Sequence, residues 1–332
     1  MTQRQFVSLG MFIVDQFLFE GEDGNQTGRS LDPQIGGGGT YATIGARIWL
    51  DPTDIGMVVD RGHDFPPHIQ TKLDSYGPDM WLFRDDPTRE TTTALNHYRG
   101  DHRGFKYLTP RIRLTPRDLN GTAFDRPQTL HFICSPTRAL AIIKEVKEVE
   151  GWLPVTVYEP IPDRCVPGEL PSLIEILPSI SILSPNAEEA LGLLSISLPI
   201  TQAKIEEAAA KFLDYGIGGS GKGSVVIRSG ALGAYVASRA AKGRWVEAFW
   251  GPDDLHRVID VTGAGNAFLG GLGAGLKFTQ DVYEAALYAS VSASFIIEQE
   301  GLPLMELDGG SRKWNGDSPQ CRLSDLRNRT FL

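Results

Sequence analysis

The sequence has few cysteines, no long apolar run and no excess of positive charge. Its three cysteines (Cys134, Cys165 and Cys321) are far apart and odd in number, which argues against a disulfide framework and against a zinc site. The sequence contains no run of about eighteen apolar residues, which is the length that a membrane-spanning helix needs. The net charge of −9 over 332 residues argues against nucleic acid or an anionic membrane as main partner, because either would need a basic face. The N-terminus has no apolar leader, so we expect a cytoplasmic protein.

The composition is that of a globular protein, with 41% hydrophobic and 22% charged residues. Between residues 130 and 299, strand-like and helix-like segments alternate. This predicts one α/β domain over residues 1–332, with a mostly parallel central sheet and helices on both faces. Two polar segments, about 16–35 and 81–116, are predicted to form a small β lid. The polar segment 307–332 is predicted to be a loosely ordered tail.

The most informative segment runs from Asp260 to Asn266 and reads D-V-T-G-A-G-N. It follows a β-like run at 257–259 and precedes an apolar helical pattern. Small residues allow a tight turn there, and the amides of Gly263, Ala264 and Gly265 would then point outward without acceptors. Together with the helix dipole, such amides favour an anion such as a phosphoryl group. A glycine-rich turn without a ligand is the simpler alternative.

This segment resembles the D-T-x-G-A-G-D signature of the PfkB/ribokinase family of sugar and nucleoside kinases. The resemblance covers about residues 6–305 and is greatest to the fungal maintenance-of-killer-like branch, in which the wording GGGGTYATIGARIW recurs. It implies a ribokinase-like three-layer sandwich that uses ATP and Mg²⁺, with Asp260 in the catalytic signature and Thr262 beside the nucleotide. Asn266 stands where the family has the aspartate that takes a proton from the acceptor hydroxyl. An amide can orient a hydroxyl but is no base near neutral pH.

Two further segments match family motifs for the nucleotide. Asn186 and Glu189 have the spacing of a helix capping box. In the family, the glutamate of this N-x-x-E motif also helps to arrange magnesium and phosphate through water, which makes Glu189 the expected metal-associated residue. Gly230 and Gly233 match a T-x-G-x-x-G turn that lies along the nucleotide phosphates. Arg228 replaces its threonine, and either grips phosphate as a planar fork or is solvated.

The acceptor site is predicted from two segments near the N-terminus. Asp15 follows a predicted strand over 6–14, as does the family's aspartate that holds substrate hydroxyls. The glycine run that follows resembles the family's G-G-x-x-x-N motif, but Tyr41 stands in place of its asparagine, so an aromatic face would replace a hydrogen-bonding group. The expected acceptor site comprises Asp15, Gly36, Gly37, Gly38 and Tyr41.

Three functions are open at this point. The first is a slow or unusual ATP-dependent kinase acting on a hydroxyl of a sugar, nucleoside or related small alcohol, with Asp260 or a substrate carboxylate as proton acceptor. The second is a nucleotide- or sugar-binding protein that has lost catalysis, and the third is an enzyme of another reaction class in the same pocket. General-base catalysis is worth about 10²–10⁴-fold, whereas positioning and electrostatic stabilisation can survive its loss. Open strand edges in the lid would also allow a homodimer.

Overall fold

A nine-stranded sheet lies at the centre of the computed structural model, which describes residues 3–21, 24–28, 30–99 and 102–330. The strands, in chain order, are β1 (Phe6–Ser8), β2 (Ile13–Glu20), β3 (Gln34–Gly36), β4 (Ile55–Arg61), β5 (Trp81–Asp85), β6 (Thr93–Arg99), β7 (His102–Tyr107), β8 (Thr129–Cys134), β9 (Val155–Pro160), β10 (Ile182–Leu183), β11 (Ser224–Arg228), β12 (Ala234–Ser238), β13 (Arg244–Val246), β14 (Met305–Asp308) and β15 (Ser311–Trp314). The helices are α1 (Gly38–Arg47), α2 (Pro67–Tyr76), α3 (Pro136–Glu148), α4 (Leu170–Ile176), α5 (Ala187–Leu193), α6 (Gln202–Tyr215), α7 (Ala264–Thr279), α8 (Val282–Ile296) and α9 (Pro319–Thr330).

The central sheet has the order β13-β12-β11-β10-β9-β8-β1-β4-β5. Its strands are parallel except for β12 and β13, which form an antiparallel edge. Successive residues of β1, Phe6 and Val7, are both fully buried but belong to different core clusters, so the sheet is covered on both faces. The predicted three-layer α/β fold is therefore confirmed. In the part of the chain that the structure describes, no helix has both the length and the apolar character that a membrane crossing requires.

The lid is a separate four-stranded sheet with the order β3-β2-β6-β7. The expected single strand over 6–14 is wrong, since β1 ends at Ser8 in the central sheet and β2 begins at Ile13 in the lid. The expected lid segment from residue 81 was also too long. Trp81 begins β5, which pairs with β4, and its buried ring donates from Nε1 to Leu73 O (2.8 Å). Burying that indole against α2 places β5 in the core sheet.

The predicted loose tail is wrong over the described residues, because β14, β15 and α9 form an ordered end of the domain. Trp314 is fully buried and stacks on Tyr76, with ring centroids 5.9 Å apart. Arg322 is also buried, and its guanidinium pairs with Glu298 (2.8 Å) and Asp317 (2.7 Å). A few buried side chains thus anchor a segment whose average composition is polar.

Candidate functional site

A buried cluster of charged and polar side chains lies where β8, β9 and β11 end and α7 begins. We call Glu159, Arg228, Glu189, His131 and Asn266 the inner cluster. The Glu159 carboxylate is at its centre: Arg228 Nη1 lies 2.8 Å from Oε1, and Asn266 Nδ2 donates to Oε2 (2.9 Å). His131 Nε2 lies 3.6 Å from the same Oε2, and Arg228 Nη2 lies 3.6 Å from Glu189 Oε2. All except Asn266 are at most 9% exposed.

The two carboxyl groups of the inner cluster are shifted in opposite directions. Burial alone would raise the pKa of Glu159, but Arg228, His131 and the Asn266 amide together hold it below its ordinary value. Burial is also the main influence on Glu189 and raises its pKa to about 7, since Arg228 is more distant and Glu159 adds repulsion. Glu159 is therefore ionised near neutral pH, and Glu189 titrates there.

The predicted capping box at the start of α5 is present. Asn186 N donates to Glu189 Oε2 (2.7 Å), and Glu189 N donates to Asn186 Oδ1 (2.8 Å). Asn186 also forms a parallel bridge with Arg228. Arg228 is not solvated, contrary to one of the two alternatives, because both glutamates and Ser184 O (3.1 Å) hold its guanidinium.

The signature segment forms a turn before α7 rather than following a strand. The expected strand at 257–259 is wrong, since a 3₁₀ helix occupies Pro252–Arg257. Gly263 has φ 77° and caps α7, a conformation that favours glycine. Ala264 N already donates to Val261 O (3.2 Å), whereas within the described residues Gly263 N and Gly265 N have no assigned acceptor. Two of the three expected amides thus lack a backbone acceptor among the described residues.

Two side chains lie directly on this turn. A Cβ built at Gly263 would overlap the Tyr41 ring, and one at Gly265 would overlap Arg228 Nη1. Tyr41 is 4% exposed and packs against the turn, so it does not offer its face to an acceptor as predicted. Asp260 Oδ1 accepts from Thr262 N (2.9 Å) within the same turn. The absence of side chains at both glycines is what allows this close packing.

The remaining predicted residues are distributed over the lid and the edge of the sheet. Asp15 lies inside β2, paired with β3 and β6, and its carboxylate lies against Gly36. Gly37 caps α1, which begins at Gly38. Gly230 and Gly233 form the turn after β11, which Ser229 N closes by donating to Gly233 O (2.7 Å).

A cavity of about 320 Å³ opens between the lid and the central sheet. Of the predicted site residues, Gly38, Glu189 and Asn266 line it. The residues that line it and that sequence reasoning missed include Glu159, Tyr107, Arg111, Arg113 and Arg138. Glu159 ends a predicted strand, and the carboxyl ends of parallel strands are where ligands bind, so this signal was present in the sequence.

The donor set near Glu189 suits a magnesium ion that keeps water and phosphate ligands. Among the described residues, no three His, Cys, Asp or Glu side chains are grouped so that they could hold a metal alone. Mg²⁺ commonly takes only one or two protein carboxylates together with phosphate oxygens and water. Glu189 fits that role because it lines the same cavity as Asn266.

The family model for pfkB family carbohydrate kinases matches residues 4–306, so the chain belongs to this family. It is 34% identical to Protein MAK32 of Saccharomyces cerevisiae over 95% of this chain and 90% of that protein. It is 32% identical to an uncharacterized protein of Schizosaccharomyces pombe over 97% of this chain and 92% of that protein. The predicted family and its fungal branch are confirmed.

Solved structures show the same fold at low sequence identity. A putative ribokinase II from E. coli, in complex with ATP and Mg²⁺, matches with a TM-score of 0.67 and 19% identity, over 99% of this chain and 100% of that one. An Arabidopsis thaliana ribokinase complexed with ribose and ATP matches with a TM-score of 0.64 and 18% identity, over 91% and 95%. These likenesses confirm the ribokinase-like architecture.

Proposed function

We propose that this protein is an ATP-dependent phosphotransferase that acts on a hydroxyl of a sugar, nucleoside or related small alcohol. Family membership and relatives solved with ATP support this function. The observation that carries the proposal is the Asn266–Glu159 hydrogen bond (2.9 Å) on the cavity wall. It puts an ionised carboxylate beside the position from which the acceptor proton must leave.

In this mechanism Glu159 replaces the missing aspartate as proton acceptor. Asn266 Nδ2 donates to Glu159 and so fixes the carboxylate on the cavity wall, where the acceptor hydroxyl would donate its only proton to it. The hydroxyl oxygen would bond to the terminal phosphorus of ATP as the bond from that phosphorus to the bridging oxygen of ADP breaks, and the hydroxyl proton would pass to Glu159. Asp260 is less suited, because its carboxylate holds Thr262 N and does not line the cavity.

A carboxylate held below its ordinary pKa is a weak base, so proton abstraction would contribute little. Phosphoryl transfer has a loose transition state in which the nucleophile needs little early deprotonation. Most of the rate would come from holding the hydroxyl in line and stabilising charge. The proposal therefore describes a slow kinase.

The nucleotide would lie along the turns after β11 and before α7. ATP would supply the phosphoryl group, and Mg²⁺ would neutralise its charge. Gly263 N and Gly265 N would donate to phosphate oxygens, and Gly230 and Gly233 would let the turn approach the nucleotide closely. Glu189, with its pKa near 7, would bind magnesium best once it is deprotonated.

A nucleotide- or sugar-binding protein without catalysis is the second candidate. It is favoured by the packing of Tyr41 and Arg228 on the two signature glycines and by the occupied Ala264 amide. A ligand phosphate would have to displace Arg228 or share its cation. Such a site could bind without reaching a transfer geometry.

The test is ATP consumption with mass detection of a phosphorylated product, across sugars, nucleosides, polyols and their anionic derivatives. We expect slow turnover by the wild type, and Asn266→Asp should accelerate it, by up to about 10²-fold, because it restores a carboxylate at the usual position. If neither protein forms product while ATP or a sugar raises the melting temperature, the second candidate holds. Turnover without ATP would contradict both.

We also propose a homodimer through the edge of the lid. Strand β7 is an edge strand, and Phe105 on it is 52% exposed. Unpaired strand edges with apolar side chains favour pairing with a second copy. Light scattering after size exclusion should give twice the chain mass of 36.3 kDa, and Phe105→Lys should reduce it to the monomer mass.

A further inference from the structure

Three arginines line the cavity from the lid connection and from α3, elements that do not carry the inner cluster. We call Arg111, Arg113 and Arg138, together with Tyr107, the arginine end. All four line the same cavity as Glu159, Glu189 and Asn266. The cavity wall thus carries three arginines as well as the carboxylates and the amide of the inner cluster.

The arginine end is built from two separate parts of the chain. Arg111 and Arg113 follow β7 on the connection that returns from the lid, and Arg138 lies in the first turn of α3. Arg138 is held in place, since its Nη2 donates to Leu114 O (2.7 Å). The Arg111 guanidinium lies over the Tyr107 ring, 5.0 Å from its centroid. The lid therefore brings two cations to a third that the central domain fixes.

None of these guanidinium groups forms an ion pair within the part of the chain that the structure describes, although Glu145 and Asp118 are near enough to raise the pKa of Arg138. Arg84 and Arg228 differ in this respect, since Arg84 contacts two aspartates and Arg228 contacts two glutamates. The chain carries 41 acidic and 32 basic residues, so acidic partners are not scarce.

The like charges also lie close enough to affect one another. Burial is the main cause that lowers the pKa of Arg138 and Arg113 lowers it further, whereas Cys134, Glu145 and Asp118 act in the opposite direction. Arg111 and Arg113 are exposed to solvent, so water now screens them. A ligand anion would replace that water and could accept from several planar guanidinium forks, a geometry suited to carboxylate and phosphate.

We propose that the arginine end binds an anionic group, a carboxylate or a phosphate ester, on the acceptor substrate. This deepens the proposed function and rests on it. The acceptor would then be a small polyol with an anion at one end, held by the arginines, and a free hydroxyl at the other, presented to Asn266 and Glu159. A cavity of about 320 Å³ suits a molecule of that size.

The same arginines are poorly placed for the nucleotide. The turns proposed to hold ATP, at Gly230, Gly233 and Gly263, do not line the cavity. Glu159 and Asn266 form the part of the wall that is linked to those turns through the contacts of Arg228 and Gly265. An anion at the arginine end therefore belongs to the acceptor side.

The experiment is calorimetric titration of the full chain, without ATP, with inorganic phosphate and three matched probes: D-ribose, D-ribonate and D-ribose 5-phosphate. We expect one of the anionic sugars to bind at least about 10-fold more tightly than ribose, because hydrogen bonds to charged groups contribute most. Comparison of ribonate with ribose 5-phosphate identifies which anion is preferred. The preference should weaken as salt rises.

Arg113→Met should reduce the affinity for the preferred anionic sugar about 10-fold, and should leave ribose unaffected. Arg117→Met is the matched control, because Arg117 lies on the same connection but pairs with Glu148 (2.7 Å) and does not line the cavity. It should change neither affinity. The proposal is overturned if no anion binds more tightly than ribose, or if Arg113→Met and Arg117→Met behave alike.

Failure of the kinase proposal would look different. An anion that binds through Arg113 but is never phosphorylated contradicts the kinase while the anion site stands. Phosphorylation of neutral sugars at a rate that Arg113→Met leaves unchanged contradicts the anion site while the kinase stands.

Discussion

The inner cluster and the arginine end line one cavity but differ in whether their charged side chains form ion pairs. At the inner cluster, the Arg228 cation contacts Glu159 and Glu189, and Glu159 is further held by His131 and Asn266. At the arginine end, three cations lie together with no carboxylate partner in the described residues. The charged groups of the inner cluster are buried, whereas Arg111 and Arg113 are exposed.

Solvent explains the difference. A charge removed from water must be paired within the fold, so the inner cluster has to be completed when the chain folds. A charge that remains in water is screened, so it needs no partner within the fold and stays available to a ligand. We therefore expect the inner cluster to contribute to stability and positioning, and the arginine end to contribute to the proposed recognition of an anion. Substitutions at the two ends should separate these effects.

The largest effect is expected from Arg228→Met, which leaves two buried carboxyl groups without their shared cation. Breaking a buried ion pair in this way destabilises by about 3–5 kcal/mol. The loss should be greatest at pH 8 and smaller at pH 5, because the carboxyl groups can then take protons. Urea unfolding at both pH values measures it. A loss below about 1 kcal/mol at pH 8 would mean that the inner cluster is not a stabilising unit.

The second effect is a pH dependence caused by Glu189. Its pKa is raised from 4.5 to about 7 on folding, so the folded chain binds more protons than the unfolded chain between those values. Stability from this group is present below pH 4.5 and is lost as pH rises to about 7, by up to about 3 kcal/mol. Glu189→Gln, which keeps the capping box, should flatten this part of the profile. Parallel profiles for both proteins would contradict the raised pKa.

The location of the inner cluster could be predicted from the sequence, whereas the arginine end could not. The βα alternation and the signature glycines located the inner edge, since the carboxyl ends of parallel strands converge there. Glu159 could have been found at its strand end, although no motif marks it. The arginine end could not be found from the sequence, because it depends on the path of the lid connection. Polar composition does not determine that path. Trp314 illustrates the same limit: one aromatic side chain fixes the C-terminal segment through a distant contact with Tyr76.

A smaller effect is expected from Gly265→Ala. In an ordinary helix this change stabilises by up to about 1 kcal/mol. Here the added Cβ would overlap Arg228 Nη1, so the guanidinium must shift, and we expect a loss of about 1–3 kcal/mol. In the Arg228→Met background the same substitution should be close to neutral, because the obstructing group is gone. Additive losses in the double variant would show that the two residues do not interact.

The smallest effect on stability is expected at the arginine end. Substitutions there are the matched test for Arg228→Met. Arg111→Met and Arg113→Met make the same chemical change as Arg228→Met, on the same cavity, but at exposed positions. Each should alter the free energy of unfolding by less than about 0.5 kcal/mol, because water already compensates both charges. For Arg113→Met, relief of repulsion from Arg138 would further reduce any loss. If the free energy of unfolding of either variant, measured in urea, falls by more than about 1 kcal/mol, Arg111 or Arg113 stabilises the fold as Arg228 does. Burial would then not explain the difference between the inner cluster and the arginine end.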